Sequence, residues 1–183
     1  MRRRGVMRLF VLAAVLLLAA GCASIPVSTA MRFASWTERD LAQVDPAQVR
    51  VRVSVNDDYA IDVAKTRLTI ALTDATGIEH QSKLPLKSLR SVRGSRPGGW
   101  FSGDVPVQTT TLSLTPDGAR QLRALQQVIL AGKPRAFSLD VSTGFSKTPV
   151  DPREVTFWAD LKLADQDPYI ALIDGADIVF EHE

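Results

Sequence analysis

The sequence has very little cysteine and histidine, and it lacks the short motifs that mark common enzymes. A single cysteine, Cys22, excludes an internal disulfide and any zinc or redox site built on paired cysteines. The only histidines are His80 and His182, and no GxSxG, Walker A, GxGxxG or HExxH motif occurs. A spatial pair of carboxylates for glycoside hydrolysis leaves no sequence signature and stays open. These absences favour a non-enzymatic protein without a cofactor or a metal.

The chain also lacks an excess of positive charge once its amino-terminal segment is set aside. Four of the 22 Lys and Arg residues precede Cys22, so the chain from Cys22 onward carries 18 cations against 20 Asp and Glu, a net charge of −2. Binding to nucleic acid needs an excess of clustered cations, so we expect no nucleic-acid partner. With 183 residues, 45% of them apolar, the chain suits one domain with a core that needs no disulfides.

Residues 1–21 have the layout of a signal peptide. Arginines at positions 2, 3, 4 and 8 precede an apolar run over residues 9–20. This run is shorter than the roughly 20 residues that span a bilayer, and it fits the apolar region of a signal peptide. We therefore predict export by the general secretory route. A loose twin-arginine match at Arg3 and Arg4 leaves the twin-arginine route as the alternative.

The segment Leu18-Ala19-Ala20-Gly21-Cys22 resembles the lipobox of bacterial lipoproteins, although the family more often has leucine in place of Ala19. The resemblance implies a diacylglyceryl thioether on Cys22, cleavage before it, and acylation of the new amino terminus. Several acyl chains would anchor the protein stably in a membrane. Ala23 stands where an aspartate would resemble the inner-membrane retention signal, so the resemblance implies a periplasm-facing protein of the outer membrane. The alternative is a buried or reactive thiol that lies there by chance.

Beyond the anchor, we predict a membrane-proximal tether over 22–35 and a single β-rich periplasmic domain over 36–183. Strict alternation of valine with polar residues over 48–55 indicates a strand with one buried face. Asp174-Gly175 is a strong signal for a two-residue hairpin. In all, about eight strands are predicted, over 48–55, 67–73, 78–84, 105–114, 136–143, 154–163, 169–173 and 176–180.

One helix is well marked near 116–131. Thr115 is its expected N-cap, Pro116 its first residue, and Gly132 its expected end. Its apolar stripe comprises Leu122, Leu125 and Ile129. The order of strands, helix and strands argues against a parallel α/β sheet. We therefore predict a mainly-β fold, an antiparallel β-sandwich or an α+β sandwich, with this one helix packed on it.

The stretch 83–101 is rich in cations and contains no acidic residue. One interpretation is a flexible cationic loop with an aromatic tip, which could contact anionic headgroups, peptidoglycan or a protein. The other, which runs of charge more often fit, is a solvated strand and loop with Trp100 folded back on the sheet. The candidate partner-contact residues are Lys87, Arg90, Arg93, Arg96, Trp100 and Phe101.

The last third of the chain is acidic, because residues 151–183 hold nine Asp and Glu against two cations. The segment 165–167 could supply oxygen ligands to calcium, but it lacks the glycine and glutamate of an EF-hand loop. Turns and exposed strand faces are the simpler interpretation. These acids could also pair with the basic stretch, within the fold or between subunits.

Together these features predict a lipid-anchored, non-enzymatic outer-membrane lipoprotein that acts through protein contacts in a cell-envelope assembly. In size and layout the chain is similar to the sandwich lipoproteins of type VI secretion, which implies a secretion-related assembly. The alternative is a periplasmic module that binds lipid, peptidoglycan or another glycan. A large apolar pocket would favour that alternative, and an exposed sheet edge would favour the partner contact. An enzyme would be favoured if His80 lay beside a carboxylate in a cleft.

Overall fold

The computed structural model describes residues 38–74, 76–97, 103–132, 136–151 and 154–177. The predicted signal peptide, the tether, Cys22, Trp100 and Phe101 lie outside these residues. The described elements, in chain order, are α1 (Glu38–Gln43), β1 (Arg50–Asn56), β2 (Ile61–Thr73), β3 (Glu79–Arg96), β4 (Val105–Leu114), α2 (Pro116–Ala131), β5 (Ala136–Phe145), β6 (Thr156–Lys162) and β7 (Ile170–Asp177).

The seven described strands form one antiparallel sheet in the order β5-β2-β3-β4-β1-β6-β7. Strand β3 joins the two halves of the sheet, because residues 79–85 pair with β2 and residues 86–96 pair with β4. The edge strands β5 and β7 also contact each other, so the sheet is strongly coiled and nearly closed. The predicted mainly-β fold with one packed helix is confirmed. The prediction of a sandwich of two stacked sheets differs from the structure in one respect: the structure has one continuous sheet that folds over at β3.

The change of partner along β3 occurs at Pro85, where the start of α2 meets the strand. Proline has no N–H to donate, so the ladder of hydrogen bonds is interrupted there. Both the backbone N and the Oγ1 of Thr115 donate to the Pro85 carbonyl, at 3.0 and 3.3 Å. A Cβ built on Gly118 would lie 2.6 Å from the same oxygen. The first turn of α2 is therefore seated directly against the bend.

The predicted apolar faces of β1 and α2 are both buried in one hydrophobic core. Val49 and the alternate valines of β1 are buried, and Thr115 caps α2 by accepting a hydrogen bond from the Gly118 amide. Gly132 follows α2 in an extended conformation, so the helix ends without a left-handed glycine. Core residues from the two halves of the sheet and from both helices include Leu41, Val51, Val53, Leu68, Ile70, Leu84, Leu112, Leu122, Leu125, Ile129, Ala159 and Leu161.

The short helix α1 is attached to α2 by a buried polar side chain. The Nε2 of Gln126 donates to the carbonyls of Leu41 and Val44, at 3.0 and 2.7 Å. These carbonyls belong to the end of α1, where backbone acceptors lack partners within the helix. Neither helix in the described part of the chain is long and apolar enough to cross a bilayer.

The predicted hairpin at Asp174-Gly175 is wrong, because β7 continues through both residues beside β6. Phe157 pairs with Ala176 and Ala159 pairs with Ile173, so β7 carries one extra residue between the two pairs. The glycine has a φ of 72°. Glycine supplies this left-handed conformation both in type I′ turns and in β-bulges. The described residues therefore hold seven strands rather than about eight.

Candidate functional site

The second half of β3 is an open edge of the sheet. Every residue from 87 to 95 is exposed, with no alternation between buried and exposed positions. Strand β4 pairs with residues 86–96 on one side, and the part of the chain that the structure describes supplies no strand on the other side. Such an edge presents backbone N–H and C=O groups to solvent. We call residues 86–96 the β3 edge.

Three of the predicted contact residues lie on the exposed part of this edge. Lys87, Arg90 and Arg93 are exposed, and none of them forms an ion pair with a described residue. Residues 83–96 belong to a strand, as in the interpretation of a solvated strand and loop, and not to a flexible loop. Composition alone does not identify this strand, because neither face of residues 87–95 packs on the core and no apolar alternation is needed there. Its pairing comes from β4.

Two apolar side chains accompany the cations, and the sequence analysis missed both. Leu89 and Val92 are 51% and 48% exposed. Leu89 is the extra residue of a bulge, since its neighbours Ser88 and Arg90 pair with consecutive residues of β4. The β3 edge thus combines positive charge, exposed aliphatic groups and unpaired backbone within one strand segment.

Arg96, the fourth cation, is instead held inside the fold. Its guanidinium contacts the carboxylate of Asp160 and lies 3.4 Å from the Oγ of Ser54. The Asp160 side chain is only 5% exposed, and Arg52 lies 3.3 Å from the same carboxylate oxygen. One buried carboxylate therefore holds two guanidiniums. At this point the basic stretch does pair with the acidic last third of the chain.

These groups belong to a partly buried polar layer on the face of the sheet opposite the core. The Oγ atoms of Ser54 and Thr109 lie 2.7 Å apart, and the Arg52 guanidinium stacks 3.6 Å above the Tyr169 ring centre. Strands β4 and β1 lie between β3 and β6, so Arg96 reaches Asp160 only because the end of β3 curls over this face. The ion pair fixes the far end of the β3 edge and leaves its other cations available.

His80 does lie beside a carboxylate, but in the turn between β2 and β3. Its Nε2 is 3.0 Å from Oδ2 of Asp74, while the Thr76 hydroxyl donates to Oδ1 at 2.6 Å. The hydrogen bonds from Thr76, from His80 and from the Ile78 amide hold the pKa of Asp74 well below its usual range. Neither His80 nor Asp74 lines the grooves described next. The pair orders the turn between β2 and β3.

A shallow groove of about 370 Å³ lies between the start of α2 and the neighbouring strands β3, β4 and β1. Three cations and one serine face it, namely Arg50, Lys87, Arg123 and Ser113. Leu89, Pro46 and Ala119 supply apolar wall. The groove has no acidic residue among its lining, so its local charge is positive.

A second groove, of about 430 Å³, separates α1 from the turn that follows β6. Asp40, Asp45 and Asp167 line it, so its charge is opposite to that of the first groove. The described residues contain no group of three or more His, Cys, Asp or Glu side chains arranged to hold a metal ion.

Comparison with protein-family models, with curated proteins and with solved structures finds no match to this chain. The geometry of the molecule is thus the basis for assigning a role. Of the six predicted contact residues, the structure brings Lys87, Arg90 and Arg93 together on an open edge and buries most of Arg96.

Proposed function

We propose that this chain is a lipid-anchored lipoprotein of the outer membrane, facing the periplasm, that acts through protein–protein contacts in a cell-envelope assembly and not as an enzyme. The open β3 edge is the observation that carries the proposal. The lipobox resemblance of residues 18–22 supports the anchor on Cys22. The similarity in size and layout to type VI secretion lipoproteins supports a secretion-related assembly.

An open edge favours a protein partner over a small ligand because it offers a row of backbone donors and acceptors at a fixed spacing. An extended segment of another protein can add to such an edge as a further strand, with backbone hydrogen bonds supplying affinity. Natural proteins usually shorten, cover or bend their exposed edges. On the β3 edge the bulge at Leu89 and the charged side chains limit indiscriminate pairing, while Val92 remains as an apolar contact point.

The charge of the edge selects the kind of partner. Lys87, Arg90 and Arg93 are unpaired cations among the described residues, and residues 81–103 contain no acid. Like charges that face each other across two strands are destabilising, so a second copy of this edge is a poor match. An extended segment with Asp or Glu at alternate positions would place opposite charges across the pair. We therefore assign the edge to an acidic, extended segment of an envelope protein.

Site-specific photo-crosslinking from position 92 in intact cells tests this assignment. We expect a crosslink to an envelope protein through an acidic stretch, identified by mass spectrometry of the crosslinked peptide. The double change Arg90→Glu and Arg93→Glu should abolish it. Lys83→Glu is the matched control, since Lys83 is an exposed cation on the half of β3 that pairs with β2. No crosslink, or equal loss in the control, would contradict the assignment.

A further inference from the structure

The geometry points to a binding site for a phosphate group in the groove between β4 and α2, at Arg50, Lys87, Ser113 and Arg123. This site is separate from the partner contact proposed above, which uses Arg90 and Arg93. Lys87 lies at the border of the two surfaces, so no Lys87 variant is used to distinguish phosphate binding from the partner contact.

Ser113 occupies the centre of a row across three strands. It pairs directly with Lys87 of β3 on one side and with Arg50 of β1 on the other. Side chains at directly opposed positions share a face, with Cβ atoms about 4.5–5.5 Å apart. The Ser113 side chain therefore lies between those of a lysine and an arginine on the same face of the sheet. All three residues line the groove.

The hydroxyl of Ser113 lacks a partner within the described residues. The residue is 8% exposed, its Oγ is buried, and no hydrogen bond to it is found in this part of the chain. A buried polar atom without a partner is unfavourable unless a ligand or water supplies one. Because Ser113 lines the groove, an acceptor bound there is in the right place to satisfy it.

The cations of the groove also retain unused donors. The Nη1 of Arg50 donates to the carbonyls of Ala47 and Val49, at 2.6 and 3.0 Å, which leaves its remaining N–H groups without a described partner. Lys87 and Arg123 form no ion pair with described residues. Asp117, the acidic residue on α2 nearest in sequence to Arg123, is already paired with Arg120.

The spread of these donors favours phosphate over a carboxylate or a neutral glycan. They come from a row across β3, β4 and β1 and from α2. A tetrahedral phosphate offers oxygens in several directions, and guanidinium groups bind it well. A carboxylate presents two oxygens in one plane. The apolar wall at Leu89 and Ala119 leaves room for the carbon portion of a phosphate ester.

Two sources could supply this group, namely free phosphate and the phosphodiester of a phospholipid headgroup. The full-length protein in nonionic detergent is titrated with inorganic phosphate, and separately with phosphatidylglycerol against phosphatidylcholine in mixed micelles. Binding is followed by calorimetry and by NMR shifts. Saturable binding of inorganic phosphate supports the site with the free ion as its ligand. Saturable binding of phosphatidylglycerol without inorganic phosphate supports it with the headgroup as ligand.

In either case we expect Ser113→Ala and Arg123→Gln to weaken binding about tenfold, as for the loss of a hydrogen bond to a charged group. Arg67→Gln is the control for loss of an arginine outside the groove, because Arg67 donates to the carbonyls of residues three and one positions before it, as Arg50 does. Arg90→Gln with Arg93→Gln should abolish the crosslink from position 92 and leave phosphate binding intact. Absence of saturable binding to both probes, or an equal effect of Arg67→Gln, would overturn the site.

Discussion

Replacing Asp160 by asparagine should destabilise the domain by removing the charge that holds two guanidiniums. The Asp160 side chain is 5% exposed, whereas Arg52 and Arg96 are 34% and 22% exposed. Breaking a fully buried ion pair costs about 3–5 kcal/mol. Because both arginines keep some contact with water, we expect the lower end, about 3 kcal/mol. For a domain of this size that corresponds to a fall in Tm of about 10 °C.

Urea and thermal denaturation of the wild-type and Asp160→Asn proteins measure this loss. Asp117→Asn is the matched control, since Asp117 pairs with Arg120 at 2.7 Å on the exposed face of α2. An exposed pair contributes at most about 1 kcal/mol. Adding Arg96→Met should reduce the effect of Asp160→Asn, because one of the two dependent charges is then gone. Equal losses for Asp160→Asn and Asp117→Asn would refute the buried pairing.

Three further predictions concern the bend, the first hairpin and the anchor. Gly118→Ala should lower the free energy of unfolding by about 1–3 kcal/mol through overpacking, and lower the urea midpoint accordingly. The alanine Cβ would lie 2.6 Å from the Pro85 carbonyl oxygen, which outweighs the preference of alanine for helices. A raised midpoint would show that α2 is not seated there. Hydrogen bonds led by that from the Thr76 hydroxyl depress the pKa of Asp74. The stabilising effect of the ionised Asp74 is therefore complete when the pH is above the ordinary pKa of about 4. It is lost as the pH falls toward the depressed pKa of Asp74 in the folded protein. Asp74→Asn should flatten the dependence of stability on pH between about 5 and 3, and an unchanged slope would contradict this. Cys22→Ser should remove palmitate label that the wild-type protein takes up in cells, whereas an unlabelled wild-type protein would contradict the anchor.

Local patterns in the sequence were enough to predict the elements that build the core. The alternation over 48–55 identifies β1 because one face of that strand meets the core and the other does not. Thr115 and Pro116 identify the start of α2 because capping depends on residues adjacent in the chain. The predicted helix and the observed one both cover 116–131.

Features that depend on distant partners were beyond the reach of these patterns. The ion pair of Arg96 and Asp160 joins residues 64 positions apart, and charge alone does not indicate which acid a cation meets. Residues 87–95 of the β3 edge show no apolar alternation because both of their faces are exposed. Asp174-Gly175 suits a turn or a bulge equally well, and pairing with β6 selects the bulge. The single sheet follows from the change of partner at Pro85, which only the register reveals.

Amide hydrogen exchange along β3 is the most direct test of the central proposal, that an acidic segment adds to the β3 edge. The measurement compares the full-length protein alone with the protein bound to the segment recovered by crosslinking from position 92. Strand addition predicts slower exchange for the amides of residues 86–96 that do not bond to β4, and no change in residues 79–85. Binding of the segment with unchanged exchange over residues 86–96 would contradict it.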